Sequence, residues 1–274
     1  MEAKKFRPII LAGGSGKRLW PLSTNEKPKQ FISLFGDLSL FDLTLQRVNN
    51  HDLFEKPIVV TSEKYIEFVE DSLSKTGLKV ESVFLEPESK NTFTAITLPV
   101  LAAIERKEHE RYMVMPSDHY IAYNKSFYEA CSNVQNQFKK KALTLFGVKP
   151  TNPSIEYGYI SMNPSSNNLK TVNSFIEKPD LENAKLLIKQ PDTLWNSGIF
   201  CFEGNWLGQS IESRFPSMHS IMMEILSSKN LEKMYFFPSE KEFSKLENIS
   251  FDKAFVESNE NNYVANLDAG WTDL

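Results

Sequence analysis

The chain of 274 residues is 41% hydrophobic and 24% charged, enough apolar material for a full core in one large domain or two ordinary ones. Its 31 Lys and Arg against 35 Asp and Glu leave a net charge of -4, which excludes a broad nucleic-acid footprint and makes any anion site a local one. Cys131 and Cys201 stand apart with no CxxC pair, so a zinc ribbon or disulfide framework is not expected and a reducing, cytoplasmic setting is.

The opening "MEAKKFRPII" meets polar and turn-forming residues too soon for a signal peptide. The longest mostly apolar stretch, 93–104, carries threonines and a proline and is too short to cross a bilayer, so no membrane partner is expected. Along the first half, short β-branched runs at 8–11, 57–60, 79–85, 112–115 and 142–148 predict strands. Between them, 40–48, 63–73, 92–105 and 126–138 carry apolar residues at helical spacing, with Pro99 expected to kink the third. This alternation predicts an α/β fold, a Rossmann-like and mainly parallel sheet with helices on both faces. Ligands of such sheets lie beyond the carboxyl ends of the strands, where "AGGSG" falls.

After about residue 150 the rhythm changes. "YGYISM" (157–162) and "LKTVNSFIE" (169–177) flank the polar "NPSSNN" and predict a hairpin. "DLENAKLLIKQ" (180–190) predicts a helix capped by Asp180, 194–202 a buried strand, and further helices run to about residue 257. No repeat or low-complexity linker divides the chain. One domain, 1–274, is expected, with a nucleotide-side half to about 150 and a substrate-side half beyond it.

"ILAGGSGKRLWP" (10–21) is an apolar strand end running into a glycine-rich, basic loop. It is not a Walker A loop, because Leu11 stands where the first glycine belongs and Arg18 where the hydroxyl belongs. It is not GxGxxG either, because Leu19 takes the place of the third glycine. Gly13, Gly14 and Gly16 still allow backbone N–H groups to close on a polyphosphate, with Lys17 and Arg18 beside them as cations.

"LAGGSGKRLWPLS" (11–23) resembles the opening pattern L-A-G-G-x-G-T-R-L-x-P-L of the sugar-phosphate nucleotidyltransferases, with Lys17 in place of the usual threonine. "PKQF" (28–31) is similar to the pattern of their mannose-1-phosphate guanylyltransferase branch, and the likeness runs along nearly the whole chain. The resemblance implies a nucleotide-diphospho-sugar transferase fold, with GTP and mannose 1-phosphate as partners and Mg²⁺ as cofactor. It implies that Leu11, Ala12, Gly13, Gly14, Ser15, Gly16 and Lys17 border the nucleotide, that Arg18 polarises its phosphates, and that Lys29 stabilises charge at the α-phosphorus. A homodimer is compatible with it.

Four further segments carry chemistry. In "LEPESKNTFTAI" (85–96), Asn91 reads either as a cap on the following helix or, with Thr92, as part of a nucleobase pocket. There Glu86, or backbone groups near it, would read guanine through N1–H and N2–H₂. "YMVMPSDHYI" (112–121) empties an apolar strand into Ser117-Asp118, where Asp118 serves either as a turn cap or as an Mg²⁺ ligand. By resemblance Ser117 borders the nucleotide and Asp118 holds the metal; His119 is a neighbour, because Mg²⁺ disfavours imidazole. "EYGYI", "FIEKP" and "WNSGIF" match sugar-phosphate segments, which carries Tyr157, Gly158, Glu177, Lys178 and Asn196 to the sugar side. "NLDAGWTDL" (266–274) resembles D-A-G-W-x-D-x-G, which makes Asp273 the second metal aspartate. The family's next glycine lies past Leu274, so a C-terminal region is expected to be missing. No His-x-His pattern supports isomerase chemistry.

Overall fold

The computed structural model describes residues 4–14, 23–24, 26–49, 51–108, 110–165, 167–227, 231–258 and 261–274. The first half alternates as its apolar periodicity predicts. Strand β1 (Phe6–Leu11) is followed by a 3-10 turn (Lys29–Phe31), the small hairpin β2 (Ser33–Phe35) and β3 (Leu38–Ser39), and helix α1 (Leu40–Asn49). Then come β4 (Ile58–Ser62), α2 (Ile66–Thr76), β5 (Ser82–Glu86), α3 (Asn91–Glu105), β6 (Arg111–Pro116), β7 (His119–Ile121), α4 (Asn124–Asn136) and β8 (Leu143–Val148). The strand expected at 79–85 starts later, at Ser82, and α3 runs through Pro99 to Glu105.

The second half opens with the expected hairpin, β9 (Tyr159–Met162) against β10 (Leu169–Ile176). Helix α5 (Leu181–Leu187) follows, and its cap Asp180 accepts from the Asn183 N–H at 2.8 Å. Strand β11 (Thr193–Glu203) leads into α6 (Gly204–Arg214), α7 (Pro216–Ser227), β12 (Tyr235–Phe236) and α8 (Glu240–Phe243). A π-helical turn (Asp252–Val256) precedes β13 (Asn262–Asn266) and β14 (Trp271–Asp273).

Ten of the described strands form one sheet in the order β12-β5-β4-β1-β6-β11-β8-β13-β10-β9. It is parallel from β12 to β6 and mostly antiparallel from β11 onward. Because β11 also pairs with β9, the last five strands close on themselves. A register shift between Asn196 and Phe200, with Gly198 at φ +72°, lets β11 bend to reach both neighbours, and only glycine takes that conformation without cost.

Side chains alternate across the sheet, so β1 sends Ile9 to one core and Ile10 to the other, and β8 does the same with Leu145 and Phe146. Both faces are covered, which is why these strands read as unbroken apolar runs. Helix α1 begins with a capping box: Ser39 Oγ accepts from the Asp42 N–H at 3.1 Å, and Asp42 Oδ2 accepts from the Ser39 N–H at 2.9 Å. Among the described residues, no helix is long and apolar enough to cross a membrane.

Candidate active site

The carboxyl ends of β1 and β6 lie side by side, with Leu11 opposite Pro116. The site is built on that rim. The Leu11 carbonyl accepts from both the N–H (3.1 Å) and the hydroxyl (2.7 Å) of buried Ser117. Ser117 therefore fastens β6 to the start of the glycine loop with its own side chain. The Ala12 carbonyl accepts from Thr61 Oγ1 and Gln30 Nε2, each at 2.9 Å, and the Gly14 carbonyl accepts from the same Gln30 amide at 2.8 Å. Gln30, whose part was not foreseen, is thus the strut under the loop. Its signal was the "PKQF" run itself.

Leu11, Gly13, Gly14, Glu86, Asn91 and Thr92 line one cavity of about 520 Å³. Asn91 is the first residue of α3, at φ +65°, and its side-chain oxygen accepts from the Thr92 N–H at 2.9 Å. The N-cap position is Lys90, which makes no side-chain capping bond, so Asn91 does not take the expected capping role. Thr92 Oγ1 accepts from the Phe251 N–H at 2.8 Å. Ala12 and Ser117 support this cavity without lining it. Ser15, Gly16, Lys17 and Arg18 lie outside the described residues.

Glu86 is the unusual member. It is 8% exposed, and its Oε1 has no hydrogen-bond partner among the described residues. Burial pushes its carboxyl from an ordinary 4.5 up to about 8. A carboxyl raised in this way favours folding fully below about pH 4.5, and that contribution is lost as pH climbs through 8, where the fold must hold a bare charge. Glu86→Gln should therefore melt like the parent near pH 4.5 and become progressively more stable than it toward pH 8, by at most about 5 kcal/mol. Thermal melts across that range test this; a difference that stays flat with pH would mean the carboxylate is solvated.

Past the end of β6, the short ladder of β7 and β14 pairs His119 with Asp273. One ligand atom from each of Asp118, His119 and Asp273 falls within 4.8 Å of the others, a group able to hold a metal ion. Trp271 Nε1 donates to His119 Nδ1 at 3.2 Å, so the neutral imidazole keeps its proton on Nε2. Lys29, 2% exposed in its 3-10 turn, reaches Asp273 Oδ1 at 2.5 Å and Asp118 Oδ2 at 3.9 Å. Three segments far apart in sequence thus converge on one knot of charge.

On the other side, the Gly158 carbonyl accepts from the Asn196 N–H at 2.8 Å. A Cβ on Gly158 would sit 2.6 Å from the Phe175 ring and 2.7 Å from Glu177 Oε2, so any larger residue must push one or both aside. Tyr157 meets Trp195 edge-on at 5.0 Å and Trp271 at 5.4 Å, linking this region to the metal-type cluster. Burial raises the Glu177 carboxyl, an effect partly offset by Lys178, whose Nζ is 3.6 Å away. Lys178 itself holds φ +41°, a strained position for a side chain. Asn196 donates from Nδ2 to Asp252 Oδ1 at 2.8 Å. No motif marks Asp252 in the sequence, where it is one acid in a segment of helical pattern.

The nucleotidyl transferase family matches residues 7–274 of the chain. A mannose-1-phosphate guanylyltransferase of Sinorhizobium fredii is 32% identical over 272 residues, 98% of this chain and 53% of that protein. The chain spans about half the length of the curated relatives it matches. Two solved structures are also similar. Mannose-1-phosphate geranyltransferase from Thermus thermophilus has a TM-score of 0.84 at 27% identity, over 98% of this chain and 76% of that one. Mannose-6-phosphate isomerase from Helicobacter pylori has a TM-score of 0.81 at 29% identity, over 98% of this chain and 100% of that one. The architecture is the α/β fold of nucleotide-diphospho-sugar transferases: the alternating strands and helices predicted the helix-flanked sheet, and the resemblance implied its transferase type.

Proposed function

The chain belongs to the nucleotidyl transferase family, and on that premise we propose that it joins GTP to α-D-mannose 1-phosphate, giving GDP-mannose and pyrophosphate. The observation that carries this reading is the shared rim. The cavity holding Gly13, Gly14 and Glu86 opens at the end of β1, and the Lys29–Asp118–Asp273 knot follows the end of the adjacent β6.

In the proposed reaction, a phosphate oxygen of the sugar attacks the α-phosphorus in line, and the bond to pyrophosphate breaks. The attacking oxygen is already anionic, so no base must remove a proton. What the protein supplies is position and positive charge. Lys29 and Arg18 supply the charge, and the loop Leu11 to Lys17 supplies backbone N–H groups. Asp118 and Asp273 would hold Mg²⁺, with His119 beside them as a neighbour. Two carboxylates close together fit a hard cation that prefers oxygen. Bound there, the ion would neutralise charge on the phosphoryl oxygens.

Once ionised, Glu86 has two acceptor oxygens for the N1–H and N2–H₂ of guanine, a pair adenine lacks. Those two donors would favour the charged form that burial alone disfavours, and the unpartnered Oε1 supports that role. Asn91, Thr92 and Ser117 complete the nucleotide side. Tyr157, Gly158, Glu177, Lys178 and Asn196 take the sugar phosphate, so that 1–150 and 151–274 act as the two halves of one domain. The setting is cytoplasmic.

Pyrophosphate release, measured with GTP, ATP, UTP and dTTP against mannose 1-phosphate and glucose 1-phosphate, tests the proposal. The GTP and mannose 1-phosphate pair should lead by at least about tenfold in kcat/KM. Another leading pair reassigns the substrates, and silence with every pair leaves a nucleotide-sugar binder.

A further inference from the structure

Asp252 has no place in the chemistry set out above, yet it is built into the sugar side. It opens the π-helical turn Asp252–Val256, which the Glu257 N–H closes by donating to the Asp252 carbonyl at 2.9 Å. Turns of this kind displace one residue from the helical path and re-aim its side chain. The preceding residue anchors the turn to the nucleotide side, because the Phe251 N–H donates to Thr92 Oγ1 at 2.8 Å. The Asp252 side chain points the other way, and its Oδ1 accepts from Asn196 Nδ2 at 2.8 Å.

The bond settles which end of the Asn196 amide faces which way. A carboxylate only accepts, so the nitrogen of Asn196 must lie toward Asp252 and the oxygen away from it. That oxygen is held in turn by the Gly198 N–H at 3.1 Å, at the bulge of β11. Asn196 is thus clamped at both ends. It keeps one amide hydrogen and one oxygen lone pair for a ligand. Burial, aided by repulsion from Glu177, lifts the Asp252 carboxyl to about 6, and the Asn196 hydrogen bond and the Lys178 charge offset this only in part. Four polar side chains on three separate segments therefore gather on the side of the sheet where Gly158 lies against Glu177 and Phe175.

We infer that Asp252 is a positioning residue for sugar recognition: it fixes the Asn196 amide so that a ring hydroxyl meets a preset N–H donor and the Glu177 carboxylate together. This rests on the transferase reading for the identity of the sugar phosphate. It does not rest on any metal. The bond between Phe251 and Thr92 is backbone to hydroxyl, so changes to the Asp252 side chain leave the nucleotide side as it is.

The test is a set of variants assayed for the KM of each substrate separately. Asp252→Ala should raise the KM for mannose 1-phosphate by about 10- to 50-fold, with the KM for GTP changed by less than about twofold. Asp252→Asn keeps an acceptor at the same reach and should recover most of that loss. In an Asn196→Ala background, Asp252→Ala should add little, because the two act through one bond. If Asp252→Ala does not fold, Asp252→Asn and Asp252→Ser take its place: Asn reaches Asn196 and Ser does not, so the sugar KM should rise only for Ser. Unchanged sugar KM in a folded variant, equal rises in both KM values, or additive losses with Asn196→Ala would each overturn the inference. Failure of the parent enzyme to use mannose 1-phosphate would instead count against the transferase reading.

Discussion

Lys29→Ala lowers kcat by about 10²–10³ at saturating GTP and mannose 1-phosphate, the usual cost of one preorganised electrostatic donor. The basis is its position: a buried ammonium in contact with Asp273, 3.9 Å from Asp118 and on the rim that bears the glycine loop. The same change strips a buried carboxylate of its cation, since the Asp273 side chain is only 9% exposed. Losing one partner of a fully buried pair costs about 3–5 kcal/mol, and the cost here should fall below that because Asp273 is partly exposed and keeps another contact. On the proposed metal assignment, added Mg²⁺ should restore part of the melting temperature by neutralising the same two carboxylates. The two effects separate cleanly. A drop in melting temperature with undiminished kcat would make Lys29 a structural ion-pair partner and nothing more.

Asp118→Asn and Asp273→Asn should both weaken divalent-ion binding, and they should differ in stability. Removing even an outer-layer partner of a metal ligand costs about 10–100-fold in affinity, so loss of a direct carboxylate should cost at least about 100-fold. Manganese titration followed by electron paramagnetic resonance reads this without any turnover. Asp118 is 41% exposed and only loosely paired with Lys29, so its change to Asn should leave the melting temperature nearly untouched. Asp273→Asn removes the close partner of a buried lysine and should destabilise markedly. Identical metal titrations for parent and both variants would move the ion elsewhere.

The parallel half of the fold was legible because its strands are buried on both faces and therefore spell continuous apolar runs, as in "PIIL" and "YMVM". What went unread was short. Strands β2, β3, β7, β12 and β14 have two or three residues each, too few for any period to show. Strand β13 is longer, but "NYVAN" lay beyond the point where helices were expected to end.

The site divides along the same line. Glycines and acids at strand ends mark themselves by position, and six of the expected nucleotide residues do line one cavity. The burial of Lys29 is invisible in "NEKPKQF", where it looks like one solvated cation among several. Asp252 depends on a partner 56 residues away, and no local pattern encodes such a bond.

Strand β11 has one more implication. It comes from the later half of the chain, yet it lies between β6 and β8, and its bend serves β9 as well. A polypeptide severed near residue 150 would therefore leave β6 with a raw hydrogen-bonding edge beside an uncovered greasy floor, an invitation to clumping. The two halves of the sheet are welded by a shared plank, and any scheme that swaps one of them for a relative's must carry that plank along.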